Sequence, residues 1–167
     1  GPVLEDNDKT IGVVSGVLGI RWFDCTVTGM EAHAGPTPMA LRKDAMLAAT
    51  RIMQDVVAAA HRHPPHGRGT VGMVQVFPNS RNVIPGRVKF SIDLRNSTDD
   101  LVDAMATEVK AFADQVAKEH GVQVHIEMVS SYPAQLFQPE CVEAVGRAAA
   151  KLGYSHMPAV SGAGHDA

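Results

Sequence analysis

Three places in the sequence concentrate residue types able to do chemistry. The first is Glu31-Ala-His33-Ala-Gly35-Pro36-Thr37-Pro38-Met39, where an imidazole sits among small residues and prolines. A rigid loop at a junction between elements holds such a ring well for stabilising a charge or moving a proton. The alternative is a histidine that only hydrogen-bonds its own turn, and spacing alone favours it. The second is Asn82, in Arg81-Asn-Val-Ile-Pro85-Gly86, followed by Arg95 on the outward side of the next strand. An amide and a guanidinium can fix a carboxylate, because the fork of Arg donors matches its two oxygens. The plainer reading, in which Asn82 caps a turn and Arg95 pairs with Asp93 or solvent, is favoured by periodicity alone. The third is Ser161-Gly-Ala-Gly164-His165-Asp166, whose glycines let backbone approach a ligand closely. By itself a glycine pattern beside a His-Asp pair is a weak signal.

His61, His63 and His66 lie in a connector with Pro64, Pro65, Gly67 and Gly69, and without a supporting framework they read as a solvated loop rather than a metal site. No GxSxG, Walker, CxxC or HExxH signature occurs. Spacing alone therefore yields no complete catalytic set and no metal-ligand set.

The elements that must position these residues follow from periodicity. Phe23, Cys25 and Val27 alternate with Asp24, Thr26 and Thr28, predicting a half-buried strand over 22–28. Ala45, Met46, Ala49, Ile52, Met53, Val56, Val57 and Ala60 recur at helical steps, predicting a helix over 43–60. Two strands are expected at 70–77 and 87–95, with loop chemistry at Pro78, Asn79, Asn82, Pro85 and Gly86 between them. Thr98 caps a second helix whose stripe is Leu101, Met105, Val109, Phe112 and Val116 and whose stop is Gly121. Val122, Val124, Ile126 and Met128 then mark a last strand. The order strand, helix, strand, strand, helix, strand predicts an α+β, ferredoxin-like βαββαβ domain over residues 15–132, with two helices on one face of a four-stranded antiparallel sheet. After Pro133 a helix from Pro139 to Gly153, with Val142, Val145, Ala149 and Leu152 as its stripe, belongs to a different unit.

Composition bounds the function. The 167 residues, 45% hydrophobic and 20% charged, allow one domain and part of another. A net charge of -3 without a dense basic run excludes nucleic acid as a partner. The longest apolar stretch, residues 11–23, is interrupted by Ser15 and Arg21 and is shorter than the roughly 20 residues that span a bilayer, so no membrane insertion is expected. Cys25 and Cys141 are too few and too far apart for a disulfide framework, which makes a cytoplasmic location the expectation. The Gly1-Pro2 start and the small-residue end read as those of a section cut from a longer protein.

Taken in order, Gly1-Pro-Val-Leu-Glu5, Thr26-Val-Thr-Gly29, His33-Ala-Gly-Pro-Thr-Pro-Met39, Arg42-Lys-Asp44-Ala45, Asn79-Ser-Arg-Asn82-Val-Ile-Pro-Gly86, Asp93-Leu-Arg95 and Ser161-Gly-Ala-Gly-His-Asp-Ala167 resemble the hydantoinase/carbamoylase branch of the M20 metallohydrolases. That branch includes N-carbamoyl-L-amino acid hydrolases, β-ureidopropionases and allantoate amidohydrolases. The resemblance implies a lid and dimerisation domain at 15–132, flanked by α/β catalytic-domain fragments at 1–14 and 133–167. It implies homodimerisation through the lid. It also implies hydrolysis of N-carbamoyl amino acids to the amino acid, carbon dioxide and ammonia, with two divalent ions (zinc, manganese, cobalt or nickel) whose ligands lie outside this chain. His33 is then an oxyanion stabiliser, and Asn82, Arg95, Gly164 and His165 contact substrate, some of them across the dimer interface. Allantoate-type relatives tend to carry a substrate-contacting Arg near position 22, so Trp22 points to N-carbamoyl monocarboxylates, although the adjacent Arg21 could take that place after a one-residue shift. An aminoacylase-type peptidase is a further alternative within the family.

Overall fold

Val88, Phe90, Ile92 and Leu94 are each at most 1% exposed, whereas the residues between them face outward, the period of two that a half-buried strand requires. Around this strand the computed structural model describes residues 2–164. The elements in chain order are α1 (Pro2–Asp6), β1 (Ile11–Val17), β2 (Gly19–Thr28), β3 (Ala32–His33), α2 (Ala45–Arg62), β4 (Arg68–Thr70), β5 (Val74–Phe77) and β6 (Val83–Ile84). They continue with β7 (Arg87–Asn96), α3 (Asp99–His120), β8 (Gln123–Tyr132), β9 (Gln135–Leu136), α4 (Pro139–Lys151) and β10 (His156–Ser161).

The main sheet runs β4-β7-β2-β8, with β5 on the same edge of β7 as β4, and every pairing in it is antiparallel. With β4 and β5 taken as one interrupted strand, this is the βαββαβ order with its strands laid out fourth, first, third, second. The expected single strand over 70–77 is thus divided. Residues 71–73 leave the ladder, and the chain rejoins β7 where Met73 and Ser91 exchange two hydrogen bonds of 3.1 Å.

Helices α2 and α3 cover one face of the sheet. Their buried residues Ala48, Ile52, Val56, Met105, Val109 and Val116 pack on Phe23, Cys25, Val27 and Phe90. Asp44 starts α2 by accepting from the Met46 and Leu47 N–H groups, and Thr98 starts α3 by accepting from Leu101 N–H. Gly121 stops α3 in the left-handed region at φ 61°, where only the lack of a Cβ removes the steric cost. Two expected core positions are corrected: Val57 is 44% and Leu101 39% exposed, because Ala59 and Val102 turn inward instead.

The chain's two ends meet in a second sheet, β10-β1-β9, in which β1 runs parallel to β10 and antiparallel to β9, with α4 against it. The apolar run 11–23 is therefore two strands broken at Leu18. The expected stripe of α4 is mostly uncovered, with Val145 48% and Leu152 70% exposed.

Candidate functional site

His33 and Asn82 come together through the shortest ladder in the molecule. β3 pairs antiparallel with β6, His33 opposite Val83, and the Ala34 N–H donates to the Asn82 carbonyl at 2.8 Å. Two-residue strands cannot hold a loop alone, and Arg42 supplies the brace: its Nε donates to the Thr37 carbonyl at 3.1 Å and its Nη2 to the Ala34 carbonyl at 2.7 Å. Thr37 Oγ1 closes the turn on the His33 carbonyl at 2.7 Å. The base of the loop is fixed by close approach. The Gly29 N–H donates to the Gly86 carbonyl and the Met30 N–H to the Lys43 carbonyl, both at 2.8 Å, and a Cβ on Gly29 would lie 2.0 Å from the Lys43 oxygen.

This loop also chooses the histidine tautomer. The Gly35 N–H donates to His33 Nδ1 at 3.0 Å, so Nδ1 presents its lone pair and the proton of the neutral ring sits on Nε2, at the exposed end. The expected turn-bonding role is therefore real, and it leaves an outward N–H donor, the group that stabilises a developing negative oxygen. Asn82 is exposed, and its Oδ1 accepts from Ser80 Oγ at 3.1 Å.

Arg95 lies elsewhere. Its guanidinium receives Asp93 along one edge, with Nη2 2.6 Å and Nε 3.0 Å from the carboxylate, and Nη1 donates to the Gly162 carbonyl at 2.5 Å. The Asp93 hydrogen bonds hold Arg95 above the ordinary arginine value, against the opposing effect of burial. Gly164 lies two residues beyond the Gly162 contact and is exposed; His165, the remaining expected contact, lies outside the described residues.

The two groups sit at opposite ends of the sheet. Thr28 pairs with Arg87 at the end that leads into the His33 loop, and Gly19 pairs with Asn96 at the end that joins β1. From Arg87 to Arg95 the strand advances about 26 Å at 3.3 Å per residue. The carboxylate and ureido carbonyl of an N-carbamoyl amino acid are three covalent bonds apart, under about 4.5 Å. One copy of the chain cannot place His33 and Arg95 on the same small molecule.

Trp22 is 40% exposed on the sheet face opposite the helices, edge-on to Tyr132 with ring centroids 6.0 Å apart. It pairs with Asp93 and lines a cleft of about 300 Å³ with Asp24, Met73, Ser91 and Asp93. Arg21 faces the other way, 7% exposed and bound to Asp99 and Asp103 of α3, so it does not stand in for a residue at position 22. Among the described residues no group of three or more His, Cys, Asp or Glu side chains could hold a metal ion. The structural roles of Arg42 and Gly29 carry no periodic signal; only the pairing of β3 with β6 reveals them.

A split βαββαβ layer with a histidine loop at one end and an arginine clamp at the other defines a lid that is completed by a second surface. The chain belongs to the M20 family, matching its peptidase dimerisation domain over residues 15–121. Within it the chain falls in the hydantoinase/carbamoylase branch. An N-carbamoyl-L-amino-acid amidohydrolase from Rhizobium meliloti is 46% identical over 167 residues, 100% of this chain and 40% of the relative. An allantoate amidohydrolase from Bacillus subtilis (strain 168) is 32% identical over 167 residues, again 100% of this chain and 40% of the relative. The crystal structure of a hydantoinase/carbamoylase family amidase from Burkholderia multivorans superposes with a TM-score of 0.97 at 48% identity, covering 100% of this chain and 41% of that one. The chain thus spans about 40% of the length of the curated relatives it matches.

Proposed function

We propose that the chain is the lid and dimerisation section, with adjoining catalytic-domain strands, of an N-carbamoyl-L-amino acid amidohydrolase that works as a homodimer. The lid is about residues 15–132, and residues 1–14 and 133–167 belong to the catalytic domain. The observation that carries this reading is the placement of His33 and Asn82 at one end of the sheet and Arg95 at the other. Each active site then takes His33 and Asn82 from one copy and Arg95, Gly164 and His165 from its partner. Arg95 and Asn82 bind the substrate carboxylate and so orient the ureido carbonyl. The Nε2–H of His33 donates to the carbonyl oxygen as it gains negative charge.

The two divalent ions that the family implies do not fit the residues described here, and no step is derived through them. Their ligands are assigned to the rest of the intact enzyme. The dimer contact is assigned to the β4–β5 edge and the outer face of α2, where Leu47 and Val57 are 48% and 44% exposed and Met53, Val57, Thr70 and Val71 line an open groove of about 550 Å³. No helix among the described residues is long and apolar enough to cross a membrane, and both cysteines are free. These features support a cytoplasmic location and small-molecule rather than lipid or nucleic-acid partners.

Burial of Arg21 and exposure of Trp22 favour N-carbamoyl monocarboxylates over allantoate. The test is a panel of N-carbamoyl-L-amino acids, allantoate, β-ureidopropionate and N-acetyl amino acids assayed with the intact enzyme before and after chelation. Highest kcat/KM on the N-carbamoyl-L-amino acids, lost on chelation and restored by divalent metal, is expected. Preference for another substrate class, or activity indifferent to chelator, would overturn the reading.

A further inference from the structure

The guanidinium of Arg95 has five N–H groups, and the described contacts use three of them: Nε and one Nη2 hydrogen on Asp93, one Nη1 hydrogen on the Gly162 carbonyl. One hydrogen remains on each terminal nitrogen, the pair that matches the two oxygens of a carboxylate. Which edge of the fork stays open is decided by Asp93. Its carboxylate occupies the Nε–Nη2 edge and stands two residues away on the same outward face of β7, at a place set by the strand period. The two side chains are 27% and 23% exposed, so the pair is partly withdrawn from water and its geometry is held better than that of a free surface pair. Asp93 is itself placed by its pairing with Trp22 across the ladder.

We propose that Asp93 is a positioning residue for substrate binding: by taking the side edge of Arg95 it directs the terminal edge toward the substrate carboxylate. This rests on the reading that Arg95 receives that carboxylate. Asp93 touches no substrate and acts only through Arg95. With Asp93 replaced by Asn, an amide N–H faces the guanidinium N–H groups, and the arginine swings away or turns its side edge outward.

The experiment is steady-state kinetics on the intact enzyme carrying Asp93→Asn, Arg95→Ala and both changes, with an N-carbamoyl-L-amino acid as substrate. Asp93→Asn is expected to raise KM roughly 10- to 100-fold, the scale of a lost charge-assisted hydrogen bond, with kcat within about threefold of the parent. The double variant is expected to match Arg95→Ala rather than multiply the two losses, since residues acting through one contact are not additive. A purely structural role would lower kcat per mole of total protein and leave KM in place. If Arg95→Ala raises KM and Asp93→Asn does not, or if the two losses multiply, the positioning role is overturned while Arg95 keeps its assignment. If Arg95→Ala itself leaves KM unchanged, the carboxylate reading of Arg95 falls and this proposal with it. Should Asp93→Asn fail to fold, Asp93→Glu serves instead. It keeps the charge but displaces the guanidinium, so a raised KM with near-parent melting supports the role, and an unchanged KM overturns it.

Discussion

Replacing Arg21 by Met tests whether the lid is locked at the point where both of its connections leave for the second sheet. Arg21 is 7% exposed and makes five hydrogen bonds: Nε to Asp103 at 2.8 Å, Nη2 to Asp103 at 3.2 Å and to Asp99 at 3.1 Å, and Nη1 to the carbonyls of Ile20 and Tyr132 at 3.1 Å each. The Asp99 oxygen that it holds also accepts the Ala134 N–H at 3.1 Å, so one carboxylate ties β2, α3 and the chain leaving β8. Burial opposes the charge, and the Asp103 and Asp99 hydrogen bonds more than offset it, holding Arg21 above the ordinary arginine value. Met keeps the aliphatic length and removes all five bonds. The two carboxylates left behind are 43% and 56% exposed, so water solvates them again and the loss falls at the lower end of the range for breaking a buried pair, about 3 kcal/mol. In a chain of this size 1 kcal/mol moves Tm by about 2–4 °C, so calorimetry should place Arg21→Met about 6–12 °C below the parent. A fall of less than about 2 °C would refute the idea that this cluster locks the lid.

Gly29→Ala, which drives a Cβ to 2.0 Å from the Lys43 carbonyl oxygen, is expected to cost about 1–3 kcal/mol of stability in urea denaturation and to disturb the His33 loop. Burial pushes the Cys25 thiol up to about 12, whereas Cys141 is exposed, so a chromogenic disulfide reagent should titrate one thiol in the native chain and a second only after unfolding. Hydrogen bonds from His63 and then Arg62 hold the Glu108 carboxyl below its ordinary value of 4.5. A depressed carboxyl stabilises the fold above its unfolded value. Acid titration followed by circular dichroism should therefore show stability falling as pH drops below 4.5 and through the lower folded value, and Glu108→Gln should flatten that limb.

The fold was legible where burial imposes a period. The alternation of Val88, Phe90, Ile92 and Leu94 and the cap and stop of α3 at Thr98 and Gly121 stand as read. The period fails as a guide where the burying surface is interrupted or outside the chain. Val57 carries the helical repeat of α2 yet faces the groove beside β4, and the strand read over 70–77 breaks at residues 71–73. β1 and β10 escaped because each is short and their partnership spans the whole chain. At the site, the Asp93–Arg95 pair was legible as an i, i+2 neighbour on one strand face. The meeting of His33 with Asn82 was not, because a pair of two-residue strands leaves no periodic trace. Nor could residue order indicate that His33 and Arg95 lie at opposite ends of one layer.

That separation is the basis of the central claim, and subunit mixing tests it directly. The intact enzyme would be prepared as His33→Ala and as Arg95→Ala, each nearly inactive, then mixed, dissociated and reassociated. If each site draws His33 from one copy and Arg95 from the other, every mixed dimer contains one fully native site. With random pairing half of the dimers are mixed, so activity should recover to about 25% of the parent. Activity that stays at the level of the separate variants, with mixed dimers demonstrated by mass spectrometry, would contradict the account.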